Sequence, residues 1–268
     1  MENDKYKILV LSDLKRNSST TLKNSVSLAK MIDADLQLFH VKKHTEIVTR
    51  ENQLSAMRSI NEAFIKTKNK IIGLIDPLSK SYDIDIDYNF SFGNLKDEIR
   101  NSIKNSKPDI IVLGQRDSKP LKLVGDSITS FILKEFDGIV MISSPNNVLE
   151  PNEKMTLGVL NGSKKIFDTK MSKNLVSHTS TPLKSFKVVD FQSESKPAST
   201  LNEEKMVEYV FEKNANTITT LSSYLLKSKI NLLCVDRNKN ETKNITNTVT
   251  PLKQVVGKLD VSLLVSRA

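Results

Sequence analysis

The 268-residue chain has one cysteine and three histidines, and no long apolar run. Cys234, in INLLCVD, has no partner for an intrachain disulfide, and an apolar strand is the usual place for a buried, inert thiol. His40 and His44 are four residues apart, but His40 falls on an expected strand and His44 beyond its end, so they share no helical face. With no third and fourth ligand at suitable spacing, no metal site is expected. His40 reads as a structural residue and His178 as a loop residue. No GxSxG elbow is present, and Ser12-Asp13 lacks an evident base, which leaves little for covalent serine catalysis. No apolar stretch reaches about 18 residues, the length that a spanning helix needs. The start of the chain turns straight into a strand-like run, so a soluble, cytoplasmic protein without a membrane role is expected.

There is also no arginine-rich block. Lys+Arg number 40 against 31 Asp+Glu, a formal charge of +9, but the excess is mostly lysine and is spread along the chain. Without a localised basic patch carrying aromatics, no specific nucleic-acid partner is expected.

Periodicity supplies the organisation. KYKILVLSD reads as a buried strand, and Leu22, Val26, Ala29 and Ile32 mark a helix. ADLQLFHV (34–41) is a second strand, 51–75 a long helix with Leu54, Met57, Ile60, Phe64 and Ile71 among its apolar positions, and 83–92 a third strand. NLKDEIRNSIKNS is a helix capped by Asn94, with Asp97 and Glu98 near its positive end. PDIIVLG (108–114), a helix carrying Ile128, Ile132 and Phe136, and GIVMIS complete a βαβαβαβαβ order, which implies a mostly parallel sheet covered on both faces. Residues 144–154, rich in Pro and Asn, read as a linker.

The second part repeats the first. Residues 86–114 lie against 208–236 without a gap, so that Ile99 meets Leu221, Ile103 meets Leu225 and Lys107 meets Lys229. DGIVMIS matches LDVSLLVS. MTLGVLN and LKSFKVVDF read as the second unit's first two strands, with a helix in KIFDTKMSKNLVSH. Only STLNEEKM stands where the first part has its long helix. Two units are expected, 1–145 and 155–268, the second trimmed.

YKILVLSDL, SVSLAKMIDADLQLFHV, FSFGNLKDEIRNSIKNSKPDIIVLGQR and GDSITSFILKEFDGIVMIS resemble the universal stress protein (UspA) family over residues 5–144, and through the repeat over 155–268. The resemblance implies an α/β fold of two adenine-nucleotide alpha-hydrolase-like, Rossmann-like units. Each would be a five-stranded, mostly parallel sheet with helices on both faces. Family members pair through their last strands, so the tandem would form an intrachain pseudo-dimer; a homodimer is left open. In nucleotide-binding members a glycine follows the fourth strand, a second comes three positions later, and a third, nine residues on, precedes Ser or Thr. By that resemblance the site residues here are Asp13, Val41, Gly114, Gly125, Asp126 and Ser127.

GQRDSKPLKLVGDS (114–127) departs from the pattern: Asp117 replaces the second glycine, the spacing is two residues short, and Asp126 follows Gly125. A phosphate cradle needs free N–H groups on glycine-permitted turns, and two carboxylates oppose a polyanion unless Mg²⁺ or Lys119 and Lys122 offset them. In the second unit Asn161 or a neighbour replaces Asp13, and no glycine lies between Cys234 and Pro251. The expectation is a non-enzymatic stress-response or regulatory module that acts through protein partners, with a degenerate nucleotide site and no cofactor. The alternative is an ATP- or AMP-binding sensor using the first unit alone. A hydrolase or transferase at the strand ends is a third class.

Overall fold

The computed structural model describes residues 5–43, 53–115, 128–161, 170–180, 182–189, 206–237 and 259–267. Ten strands form one sheet in the order β3-β2-β1-β4-β5-β10-β9-β6-β7-β8. The first run is β1 (Tyr6–Leu11), β2 (Ala34–Lys42), β3 (Ile86–Phe92), β4 (Ile110–Gly114) and β5 (Ile139–Ser143). The second is β6 (Leu157–Leu160), β7 (Leu183–Val189), β8 (Met206–Glu212), β9 (Leu232–Arg237) and β10 (Ser262–Arg267). Within each run every pairing is parallel. The last strands join the runs antiparallel, with Leu264 opposite Met141.

Continuous apolar strands form because both faces of the sheet are covered. Ile8, Val10, Ile110, Val112, Met141, Cys234 and Leu264 point to one face. There they meet α1 (Ser18–Ile32), the C-terminal part of α2 (Gln53–Tyr82) and α5 (Lys170–Ser177). Leu9, Ile111, Val140, Leu233 and Leu263 point to the other, against α3 (Leu95–Ser106), α4 (Ile128–Glu135) and α6 (Thr217–Lys227). Each such buried Ile, Leu or Val contributes roughly 1.5–3 kcal/mol relative to exposure. Burial also holds the Cys234 thiol in its neutral form, pushed well above its ordinary range.

Local chemistry sets the helix ends. Asn94 caps α3 by accepting the Lys96 N–H at 3.0 Å, and Asp97 and Glu98 sit in its first turn, as the sequence implied. Helix α2 differs from expectation, running to Tyr82 through Pro77 rather than ending near residue 75. An interior proline costs about 3 kcal/mol relative to alanine. Leu78 and Tyr82 pack against the core beyond it and outweigh that cost. At its other end α2 carries Met57, Ile60 and Phe64 with 64%, 40% and 47% exposure, so the apolar stripe is longer than the sheet it covers.

The repeat shows in backbone detail. Lys107 and Lys229, aligned in sequence, adopt left-handed φ of 46° and 51° at the ends of α3 and α6. Two residues later, Asp109 accepts the Lys7 N–H through its carboxylate and Asn231 accepts the Thr156 N–H through its amide oxygen, both at 2.8 Å. STLNEEKM lies outside the described residues except for Met206, which opens β8. By register on β2 and β7, the β3 positions Ile86, Tyr88 and Phe90, which face α2, become Met206, Glu208 and Val210 on β8, so the ungapped repeat slips by two residues in this strand; Glu208 pairs with Lys187 at 2.8 Å.

The segment 144–154, read as a linker, is packed. Asn24 on α1 donates to Ser143 Oγ at 2.8 Å and to the Asn147 carbonyl at 3.3 Å, and accepts the Leu149 N–H at 2.7 Å. Ser27 donates to the Leu149 carbonyl at 2.6 Å, and Lys23 pairs with Glu150. Ser144 and Asn146 donate to Asp260 of the second run at 2.8 and 3.0 Å.

Candidate functional site

In the order β3-β2-β1-β4-β5 the chain reverses direction between β1 and β4. In open parallel sheets ligands bind beyond the strand C-termini at such a switch point. A solvent-open cleft of about 1320 Å³ lies there. Asp13 and Gly114 contribute from the ends of β1 and β4, Val41 from β2, and Gly93, Asn94 and Leu95 from the turn after β3. Of the residues expected at a site, Asp13, Val41 and Gly114 therefore share one cavity. Gly125, Asp126 and Ser127, with Asp117, Lys119 and Lys122, lie outside the described residues.

Each of the three has a definite setting. Asp13 Oδ1 accepts the Lys15 N–H at 3.0 Å and the Ser18 hydroxyl at 3.4 Å, fixing the turn into α1. Gly114 passes so close to α1 that a Cβ there would stand 2.7 Å from Thr21 Oγ1. Thr21 is held in place by donating to the Asn17 carbonyl at 3.0 Å. The placement of Val41 follows from strand parity. The Phe39 carbonyl accepts the Ser12 N–H on the β1 side, and the Lys42 carbonyl accepts the Gly93 N–H on the β3 side. Val41, two residues after Phe39, turns its N–H and C=O toward β1 as well, but β1 has ended and the cleft begins. A donor and an acceptor side by side suit the edge of a heterocyclic base.

His40 is more than a structural residue. Its Nδ1 lies 2.8 Å from the Ser12 carbonyl, and its ring also lines the cleft. A carbonyl only accepts, so Nδ1 carries the proton and Nε2 keeps its lone pair. Burial, with Lys42 and Lys70 nearby, lowers the imidazole below its ordinary value; the Ser12 bond and Asp13 oppose this. The ring is thus held neutral near pH 7.

The balance of charge in the cleft is basic. Among the described residues, Lys15, Arg16, Lys43 and Lys96 line it against a single carboxylate, Asp13. The N-terminal residues of α1, α3 and α4 (Asn17 and Ser18, Leu95, and Ile128 and Thr129) open onto the same space and add the positive ends of three helices. The sequence analysis did not single out these four cations. The signal available was position: each follows the C-terminal end of β1, β2 or β3 by a few residues.

The second run places different groups at the matching points. Asp236 aligns with Gly114 and accepts the Ser266 hydroxyl, so a carboxylate occupies the place of the glycine. The register puts Asn161 opposite Ser12, because Asn161 N–H donates to the Phe186 carbonyl as Ser12 N–H does to Phe39. The residue following Asn161, in the place of Asp13, lies outside the described residues. Among the described residues no group of three or more His, Cys, Asp or Glu is placed to hold a metal, and no helix is long and apolar enough to cross a membrane.

No protein-family model matches the chain, and no curated protein matches it. Solved structures do. A universal stress protein from Archaeoglobus fulgidus DSM 4304 superposes with a TM-score of 0.68 at 13% identity, over 98% of this chain and 99% of that one. A functionally unknown protein from Pseudomonas aeruginosa PAO1 superposes with a TM-score of 0.57 at 13% identity, over 98% and 93%. Together with the repeated 3-2-1-4-5 strand order, the first of these full-length likenesses gives the chain the fold of the universal stress proteins.

Proposed function

We propose that this chain is a tandem, non-enzymatic regulatory module of the universal stress protein type, and that its first unit, residues 1–145, senses an adenine nucleotide in the cleft between β1 and β4. The observation that carries the reading is the charge of that cleft among the described residues: four cations and three helix N-termini against one carboxylate, beside a base-sized donor and acceptor at Val41. An anionic nucleotide fits such a donor set, ATP or AMP alike. This favours the sensor over a degenerate first site. The second unit, residues 155–268, has a structural part in the proposal, because Asp236, bonded to Ser266, puts a carboxylate where the first unit has Gly114. No nucleophile–base pair stands in the cleft among the described residues, so regulation rather than turnover is proposed.

Calorimetric titration of the full chain with ATP and Mg²⁺ tests this. Saturation at one site per chain is expected. Asp13→Ala, which releases the Lys15 and Ser18 bonds, should weaken binding roughly tenfold, the scale of one charge-assisted hydrogen bond. A flat titration of the wild type overturns the reading. A second reading, an interaction module without a ligand, is favoured by one observation: the exposed Met57, Ile60, Phe64 and Ile65 on α2.

A further inference from the structure

We propose that the charged end of the ligand is read by a rim of Lys15, Arg16 and Lys43, on the β1 and β2 side of the cleft. The ligand class is then a nucleoside polyphosphate. This rests on the nucleotide reading above and adds to it where the phosphates lie.

Lys15 and Arg16 stand on the turn from β1 into α1, and Lys43 directly follows β2. All three line the cleft and are exposed. Among the described residues that line the cleft, the other two charged groups already have partners. Asp13 is engaged by Lys15 N–H and Ser18. The Lys96 ammonium lies 5.6 Å from the centre of the Phe131 ring. By contrast, no described carboxylate forms an ion pair with Lys15, Arg16 or Lys43. The described ion pairs involve Lys5, Lys23, Arg100 and Lys187.

Three cations gathered on one concave rim repel one another, and a bound polyanion relieves that repulsion. Among the described residues on the Gly114 side, Gly114, Thr21 and Gln115, none carries a charge. The Val41 edge lies two residues before Lys43, so a base seated there leaves its phosphates within reach of the rim.

The test compares adenosine, AMP, ATP and inorganic tripolyphosphate on the full chain by calorimetry, at low and moderate salt. In the wild type affinity should rise from adenosine to ATP by about tenfold or more and fall with salt, as several exposed charge pairs together allow. The combined variant Lys15→Ala, Arg16→Ala, Lys43→Ala should erase that rise. Removing three cations from α2 instead, Lys66→Ala, Lys68→Ala and Lys80→Ala, should leave it, which separates a local rim from net charge. Equal affinity for adenosine and ATP in the wild type, or a rise that survives in the rim variant, overturns the inference while leaving the nucleotide reading standing. Tripolyphosphate binding that is lost in the rim variant, with adenosine not binding at all, upholds the rim and overturns the nucleotide reading. No binding of any of the four overturns both.

Discussion

Single residues set the chemistry of the cleft through what they are already bonded to. His40 illustrates this best. The Ser12 carbonyl fixes its Nδ1–H, and burial opposes its protonation. Its folded-state value lies below the ordinary 6.5, so the unfolded chain binds the proton more readily. Stability from this group is therefore complete above pH 6.5 and is lost as pH falls from there through the lower folded-state value. His40→Gln should remove that part of the acid dependence. Urea midpoints of wild type and variant at about pH 7.5 and about pH 5 check it, and an unchanged difference between the two would count against the assignment. At this scale the sequence reached part of the cleft lining. Asp13, Val41 and Gly114 came from the family resemblance, whereas Lys15, Arg16 and Lys43 looked like members of a dispersed basic excess. Composition cannot tell a cation over water from one over a cleft.

Elements follow from periodicity until packing overrides it. Strands β1 to β5 and helices α1 and α3 fall close to where apolar spacing and the Asn94 cap put them. Helix α2 does not, because Pro77 is a strong local stop signal and the contacts of Leu78 and Tyr82 are non-local. Pro77 and Gly73, whose carbonyl lacks the usual i+4 donor, are both exposed. Water can therefore satisfy that carbonyl, and the cost falls on the helix alone. Pro77→Ala should stabilise the protein by roughly 1–3 kcal/mol, read as a higher urea midpoint at constant slope. A lower midpoint would mean that the proline sets a needed bend. The trimmed second run shows the converse adjustment. Where β3 presents Ile86, Tyr88 and Phe90 to α2, β8 presents Met206, Glu208 and Val210, so a carboxylate interrupts the apolar face there.

At the scale of the whole molecule the two runs are held by a seam with approximate two-fold character. Gln115, just after β4, donates to the Leu259 carbonyl ahead of β10 at 3.1 Å. Arg237, its counterpart at the end of β9, donates to the carbonyls of Leu133, Phe136 and Gly138 ahead of β5. Arg237 is 6% exposed, and burial alone lowers its affinity for the proton. Its guanidinium meets the C-terminal carbonyls of α4, the negative end of that helix, which offsets part of the desolvation. Arg237→Met keeps the aliphatic volume but strands those carbonyls. A loss of roughly 1–3 kcal/mol is expected in urea unfolding, and an unchanged midpoint would show that the seam does not depend on this residue.

The sequence by itself determined the alternation of strand and helix, the repeat that aligns Ile99 with Leu221 and Lys107 with Lys229, and the inert place of Cys234. Those features follow from local spacing and from what an apolar run must bury. Only the tertiary structure decided that residues 144–154 are packed against α1, that α2 passes Pro77, and that three cations from two strand ends share one rim. Each depends on distances between groups far apart in the chain, and these are set by how the sheet stacks its strands, not by the neighbours of any one residue.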